Sequence, residues 1–127
     1  MTDSVARLYE AVIAARGSDP TKSRTARLLR AGRAKMAKKL AEEAVEVVID
    51  AMHGQPEAVV RESADLLYNL VVLWVHAGVH PDDVWAEMRR REAMFGIAEK
   101  LPKKGVMQSL PRRKVVALEA RHARKRR

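Results

Sequence analysis

The chain has 127 residues, a length that suits one domain with a substantial buried core. It contains no cysteine, which excludes disulfide bonds, thiolate metal sites and a cysteine nucleophile. The formal net charge is +9, and a basic balance of this size is compatible with anionic partners such as nucleotides or nucleic acids.

Hydrophobic residues recur with helical periodicity along the chain, and the alternation typical of strands is almost absent. Helices are predicted over 4–16, 20–31, 33–53, 56–77 and 81–95, each bounded by glycine or proline. The second helix is placed at residue 20 because Asp19-Pro20 has the form of an N-cap followed by proline at the first helical position. We therefore expect an all-α bundle of about five helices.

The region after Gly96 is poorly patterned, apart from a short basic amphipathic stretch near 113–126. The sequence therefore predicts a helical domain over 1–97 and a basic extension over 98–127. The N-terminus lacks the pattern of a secretory signal, and the longest apolar run is too short to span a bilayer. We expect a soluble, cytoplasmic protein that does not bind membranes.

The charges are unevenly distributed along the chain. Residues 22–39 contain eight basic residues and no acidic one, whereas residues 41–66 contain seven acidic residues and one basic residue, Arg61. A basic segment beside an acidic centre would suit a nucleotide polyphosphate bound together with a metal ion. The same charges would suit nucleic acid, so a non-catalytic helical module that binds nucleic acid is an alternative. Few aromatic residues and the lack of a groove-reading motif argue against that alternative.

Two carboxylate pairs lie symmetrically about Gly54. Glu43 and Glu46 lie on one stripe of the third predicted helix, and Glu62 and Asp65 lie on one stripe of the fourth. An antiparallel hairpin that turns at Gly54 would bring the two pairs to the same level, where they would repel each other unless protons or a cation intervene. A solvated helix face is the alternative. The apolar segment that follows Asp65 argues against it, because partly buried carboxylates need a partner.

An oxygen-only cluster of this kind fits Mg²⁺, or Mn²⁺ as a substitute, rather than structural zinc. Neighbouring side chains point to phosphate chemistry. Glu42 could order or deprotonate a water, and Lys39 could reach a phosphate from the same face. Asn69 could hydrogen-bond a substrate or support the site from behind. Lys35 and Lys38 complete the predicted substrate-binding set. Solvent exposure is the alternative for Lys38 and Lys39.

The segments KMAKKLAEEAVEVVIDA and RESADLLYNLVVL contain an E-E-x-x-E … E-x-x-D pattern. This pattern resembles the signature of the all-α NTP pyrophosphatase (MazG-like) superfamily, and the text over roughly 5–95 is most similar to its phosphoribosyl-ATP pyrophosphatase family. The resemblance implies a MazG-like bundle that dimerises or forms a higher homo-oligomer. It also implies metal ligands at Glu43, Glu46, Glu62 and Asp65, with Glu42 and Lys39 near the reacting phosphates.

The activity that the resemblance implies is hydrolysis of the α–β phosphoanhydride of phosphoribosyl-ATP, the second step of histidine biosynthesis. The chain departs from the usual family text at Arg24, Ala41 and Asn69, and none of these positions is a predicted metal ligand. A house-cleaning nucleoside triphosphate pyrophosphatase with another nucleotide substrate is therefore an alternative. The implied dimer would also cover the apolar second half of helix 56–77.

Overall fold

The computed structural model describes residues 3–96 of the chain. This part forms five helices, α1 Ser4–Ala15, α2 Arg24–Ala31, α3 Arg33–Met52, α4 Pro56–Ala77 and α5 Pro81–Phe95. No strand occurs within these residues, which confirms the all-α prediction. No helix in the described range is both long and apolar enough to cross a membrane. The predicted extension over 98–127 and its amphipathic stretch lie outside the described residues.

Helix α2 begins later than predicted. The carboxylate of Asp19 accepts hydrogen bonds from the backbone N–H and the hydroxyl of Thr21, at 2.9 and 2.8 Å. These bonds close a turn that competes with helix formation. The N-cap is instead Ser23, whose hydroxyl accepts a hydrogen bond from Ala26 N–H at 3.1 Å. The predicted start at residue 20 was therefore wrong, because Asp19 uses its side chain locally and not as a cap.

Helices α3 and α4 form the hairpin predicted around Gly54, and they pack together more extensively than any other pair of described helices. Gly54 has a φ of +66°, a left-handed conformation that suits glycine after a helix end. Its N–H donates to the carbonyl of Ala51, and the N–H of Gln55 donates to the carbonyl of Asp50, both at 3.1 Å. These bonds satisfy carbonyls at the end of α3, so the chain can reverse within a short loop.

The core lies towards the end of the hairpin that is distant from Gly54. Its buried cluster consists of Val12 from α1, Met36 from α3, and Val71, Val72 and Val75 from α4. Side chains of α1 and α2 pack against this cluster. The apolar second half of α4 is thus covered by the chain's own helices. The implied dimer is therefore not needed to bury Val71, Val72 and Val75, and the dimer itself stays a prediction.

One face of the hairpin changes its environment along its length. Met36 and Glu43 are seven residues apart on α3, so their side chains leave the helix within about 20° of each other. Asp65 and Val72 have the same relation on α4. Met36 and Val72 are buried, whereas Glu43 is partly exposed and Asp65 is exposed. The face that forms the core at one end therefore presents carboxylates at the Gly54 end.

The chain divides into two compact units, Met1–Val84 and Trp85–Arg127, and the second is described as far as residue 96. Within the second unit, the carboxylate of Glu87 accepts hydrogen bonds from Arg90 at 2.6 Å and from Arg91 at 2.9 Å. The guanidinium groups of Arg90 and Arg91 lower the pKa of Glu87 to about 2. The boundary predicted near residue 97 stays a prediction.

Candidate metal centre

Three carboxylates converge on the hairpin near its turn. Glu43 from α3 and Glu62 and Asp65 from α4 each contribute one oxygen, and these oxygens lie within 4.8 Å of one another. Their convergence follows from the hairpin, because the turn at Gly54 brings α3 and α4 side by side with opposite directions. The structure thus brings together three of the four side chains predicted as metal ligands.

Glu46 is the predicted ligand that this group does not include. Its side chain is exposed on α3, one turn beyond Glu43. Its charge nevertheless contributes to raising the pKa of Glu62, so the two residues share an electrostatic environment. The ligand role of Glu46 stays a prediction.

The carboxylate cluster is electrostatically unfavourable without a positive partner. A hydrogen bond between the carboxyl groups of Glu43 and Glu62 raises the pKa of Glu62, as do desolvation and the neighbouring negative charges. Two carboxyl groups can share such a bond when one of them holds a proton. No salt bridge within residues 3–96 involves the cluster. A hard divalent cation could replace the proton, and the oxygen-only donor set suits Mg²⁺ or Mn²⁺.

The other residues predicted on α3 have no described contact with the cluster. Lys39 is half-buried one turn before Glu43, while Lys35, Lys38 and Glu42 are exposed. None of these four side chains forms a salt bridge in the described part of the chain. Their predicted roles toward phosphate and water stay predictions.

Asn69 is buried one turn after Asp65 on α4. The residue is 3% exposed, and its Nδ2 donates to the backbone carbonyl of Asp65 at 2.8 Å. Its Oδ1 is buried and has no hydrogen-bond partner within residues 3–96. A buried acceptor without a partner costs about 1–3 kcal/mol, so a water or ligand donor would be favourable there. The structure thus leaves one acceptor of Asn69 free, and both roles predicted for this residue stay predictions.

A polar contact beside Asn69 was missed by sequence reasoning. The hydroxyl oxygens of Thr25 and Tyr68 lie 2.7 Å apart, and the guanidinium carbon of Arg24 lies 6.0 Å from the centre of the Tyr68 ring. Thr25 and Tyr68 are 43 residues apart, so no local spacing indicates their contact. Arg24, which departs from the usual family text, therefore lies next to the helix that carries the cluster.

The fold and the cluster define an all-helical protein whose hairpin presents oxygen ligands suited to a divalent cation. The family model described as "Phosphoribosyl-ATP pyrophosphohydrolase" matches residues 5–92. The chain belongs to this phosphoribosyl-ATP pyrophosphohydrolase family. The family and the MazG-like bundle predicted from the two motifs are therefore confirmed.

Individual relatives agree with the family match. A protein named "Phosphoribosyl-ATP pyrophosphatase 2" from Rhodopseudomonas palustris is 65% identical, and the similarity covers 100% of both chains. A protein of the same name from Bradyrhizobium diazoefficiens is 64% identical over 99% of both chains. The "Phosphoribosyl-ATP pyrophosphatase" of Gluconobacter oxydans is 54% identical over 74% of this chain and 71% of its own. The first two relatives therefore also align with the segment that follows the family match.

Proposed function

We propose that the protein hydrolyses phosphoribosyl-ATP between its α and β phosphates, releasing pyrophosphate and phosphoribosyl-AMP. This is the second step of histidine biosynthesis, and we place it in the cytoplasm, where ATP-derived intermediates are made. The observation that carries the proposal is the convergence of Glu43, Glu62 and Asp65 on one hairpin. The full-length similarity to a protein named phosphoribosyl-ATP pyrophosphatase supports the choice of substrate.

Mg²⁺ is the cofactor that we propose for this cluster, with Mn²⁺ as a possible substitute. Glu43, Glu62 and Asp65 would hold it, and rotation of the exposed Glu46 side chain would add a fourth ligand. When bound, the ion supplies positive charge to the phosphate oxygens and lowers the pKa of a bound water. The unfavourable proximity of the carboxylates would then be offset by the ion that they bind.

Side chains around the cluster have complementary roles in this proposal. Glu42 accepts a proton from the attacking water, since a carboxylate near the metal can act as a general base. Lys39, with Lys35 and Lys38, donates charge-assisted hydrogen bonds to phosphate oxygens. Asn69 fixes the turn of α4 that carries Asp65 and offers its free Oδ1 to a hydroxyl or amino group.

A direct assay tests the activity and the site together. The purified full chain, phosphoribosyl-ATP and Mg²⁺ are mixed, and released pyrophosphate is measured. Asp65→Ala should lower kcat by at least about 100-fold, because even outer partners of a metal site contribute about 10- to 100-fold. Glu57→Ala, an exposed carboxylate in the first turn of the same helix, is the matched control and should retain activity. Unchanged pyrophosphate release by Asp65→Ala would overturn the site assignment.

A second candidate function keeps the cluster and changes the nucleotide. The observation that favours it is the altered surroundings of the cluster, with Arg24 beside Tyr68 and a buried Asn69 below Asp65. Turnover of several nucleoside triphosphates, without growth rescue of a histidine auxotroph, would support this house-cleaning function. Rescue of the auxotroph, with selective turnover of phosphoribosyl-ATP, would support the first candidate.

We further propose that the protein forms a homodimer through the outer face of the hairpin. Large apolar side chains lie exposed along this face, namely Val45, Val48, Ile49 and Met52 on α3 and Val60 and Leu67 on α4. The four α3 positions have the i, i+3, i+4, i+7 spacing of a helix stripe that packs against another element. Exposed apolar surface of this kind marks a protein interface. A second hairpin packed here would form a four-helix arrangement.

A further inference from the structure

A cavity of about 300 Å³ lies beyond the core, near the C-terminal end of α4. It is lined by the apolar side chains of Ala26, Leu29 and Val75 and by the basic side chains of Arg16, Arg30 and His76. The three basic residues come from three different helix ends, the C-cap of α1 and the last turns of α2 and α4. Among residues 3–96, no acidic residue lines the cavity.

The basic residues of this cavity have no anionic partner within residues 3–96, where no ion pair involves them. Cations at helix C-termini are favoured by the helix dipole, which explains each basic residue separately. The dipole does not explain why all three line the same cavity. All three basic side chains are exposed to solvent, so an anion that enters the cavity can reach each of them.

We propose that this cavity is a second anion site and that it binds a phosphate group. The planar guanidinium groups of Arg16 and Arg30 match the geometry of phosphate oxygens, and His76 adds a ring N–H donor. The apolar side chains beneath them would contact the carbon skeleton that carries the phosphate. A volume of about 300 Å³ accommodates a phosphate with an attached sugar.

Two sources could supply this phosphate. One is a free phosphate compound, and the other is the phosphoribosyl phosphate of the substrate, which rests on the proposed function. Asp65 and His76 are eleven residues apart on α4, which places them within about 20° and about 16 Å of each other. Phosphoribosyl-ATP carries phosphates on both sides of its adenine. A second phosphate site at a distance from the metal centre therefore matches the shape of that substrate.

An NMR titration of the metal-free full chain tests the site itself. Ribose 5-phosphate and inorganic phosphate are added separately, while the Nε–H signals of Arg16 and Arg30 and the ring signals of His76 are followed. We expect these signals to shift and saturate, and the ring shift to disappear in the Arg16→Gln/Arg30→Gln variant. Arg33→Gln, an exposed arginine outside the cavity, is the control and should keep the shifts. Wild-type signals that do not move with either compound would overturn the proposal.

Kinetics on the same variants separate the two sources. If the substrate supplies the phosphate, Arg16→Gln/Arg30→Gln should raise KM for phosphoribosyl-ATP by about tenfold or more, with kcat little changed, since charged hydrogen bonds are lost. If KM is unchanged while ribose 5-phosphate binding is lost, the cavity binds a free phosphate compound. A wild-type protein that releases no pyrophosphate would overturn the proposed function. The NMR titration would still test the anion site in that case.

Discussion

At the scale of single residues, the predicted metal ligand Glu62 opposes folding of the metal-free chain. Its hydrogen bond with Glu43 raises its pKa, so the folded chain holds this proton at pH values where the unfolded chain has released it. The group therefore opposes folding increasingly as the pH rises above the ordinary glutamate range. This effect is what a site needs if it is to bind a cation in place of the proton.

Removing the charge of Glu62 should stabilise the metal-free protein and abolish its response to metal. We expect Glu62→Gln to raise Tm without Mg²⁺ near pH 8, because an amide in that position relieves the repulsion from Glu43 and Asp65. Differential scanning calorimetry with and without Mg²⁺ measures both effects. Glu57→Gln on the same helix should change neither quantity. A metal-free Glu62→Gln protein less stable than wild type would contradict the proposed repulsion.

Mg²⁺ binding should weaken as the pH falls. Because the pKa of Glu62 is raised, the ion must displace a proton that persists above the ordinary glutamate range. Calorimetric titrations between about pH 8 and about pH 5 should therefore show an increasing Kd with proton release on binding. The same titrations of Glu57→Gln should show the same dependence of Kd on pH as the wild-type protein. A Kd independent of pH across this range would argue against a metal site at Glu62.

At the scale of elements, the turn of the hairpin determines whether the carboxylates converge. Gly54→Ala should lower the free energy of unfolding by about 1–2 kcal/mol, because a side chain disfavours the left-handed φ of +66°. Apart from the neighbouring residues of the chain, no atom of residues 3–96 lies within 4 Å of an added Cβ, so the cost would come from the backbone alone. Gly17→Ala is the matched control, since its surroundings are equally open and its φ is not positive. If urea denaturation shows the same decrease in the free energy of unfolding for both variants, the result would contradict this explanation.

The helix bounds could be predicted where glycine and proline determine them. Helices α4 and α5 begin at Pro56 and Pro81 as predicted, and α3 ends one residue before the predicted position 53. Helix α2 could not be placed from Asp19-Pro20, because the competing turn depends on the neighbouring Thr21 side chain. Sequence patterns indicate which residues can cap a helix, but the choice between cap and turn depends on local geometry.

The sequence predicted that a helical hairpin brings carboxylates together. It did not predict the position of the Glu46 side chain or the burial of Asn69. The symmetric spacing about Gly54 predicted the approach of Glu43 to Asp65, since helix geometry and a short loop determine it. Whether Glu46 joins the group depends on its rotamer, which spacing does not encode. The burial of Asn69 depends on how α1 and α2 cover α4, so it could not be read from the pattern within α4 alone.

At the scale of the whole molecule, the exposed apolar stripe on α3 predicts that a charged substitution within it disrupts the proposed dimer. Val48→Glu should convert the proposed dimer to a monomer, because a carboxylate at the centre of the stripe would be buried without a partner. Size-exclusion chromatography with light scattering measures the mass. Ala14→Glu, an exposed position on α1 outside the hairpin, should leave the mass unchanged. A wild-type monomer at micromolar concentration would contradict the proposed dimer.

The short loop between α3 and α4 has a consequence for the order of folding. Contacts between α3 and α4 near Gly54 close a short loop of the chain. The contact between Thr25 and Tyr68 closes a longer one, because these residues are 43 positions apart. Contacts that close short loops cost less chain entropy, so they generally form earlier during folding. We therefore expect the carboxylates to meet before α1 and α2 complete the core. Added Mg²⁺ should then speed refolding and leave the unfolding rate nearly unchanged, because the ion would stabilise a structure that is already formed in the folding transition state.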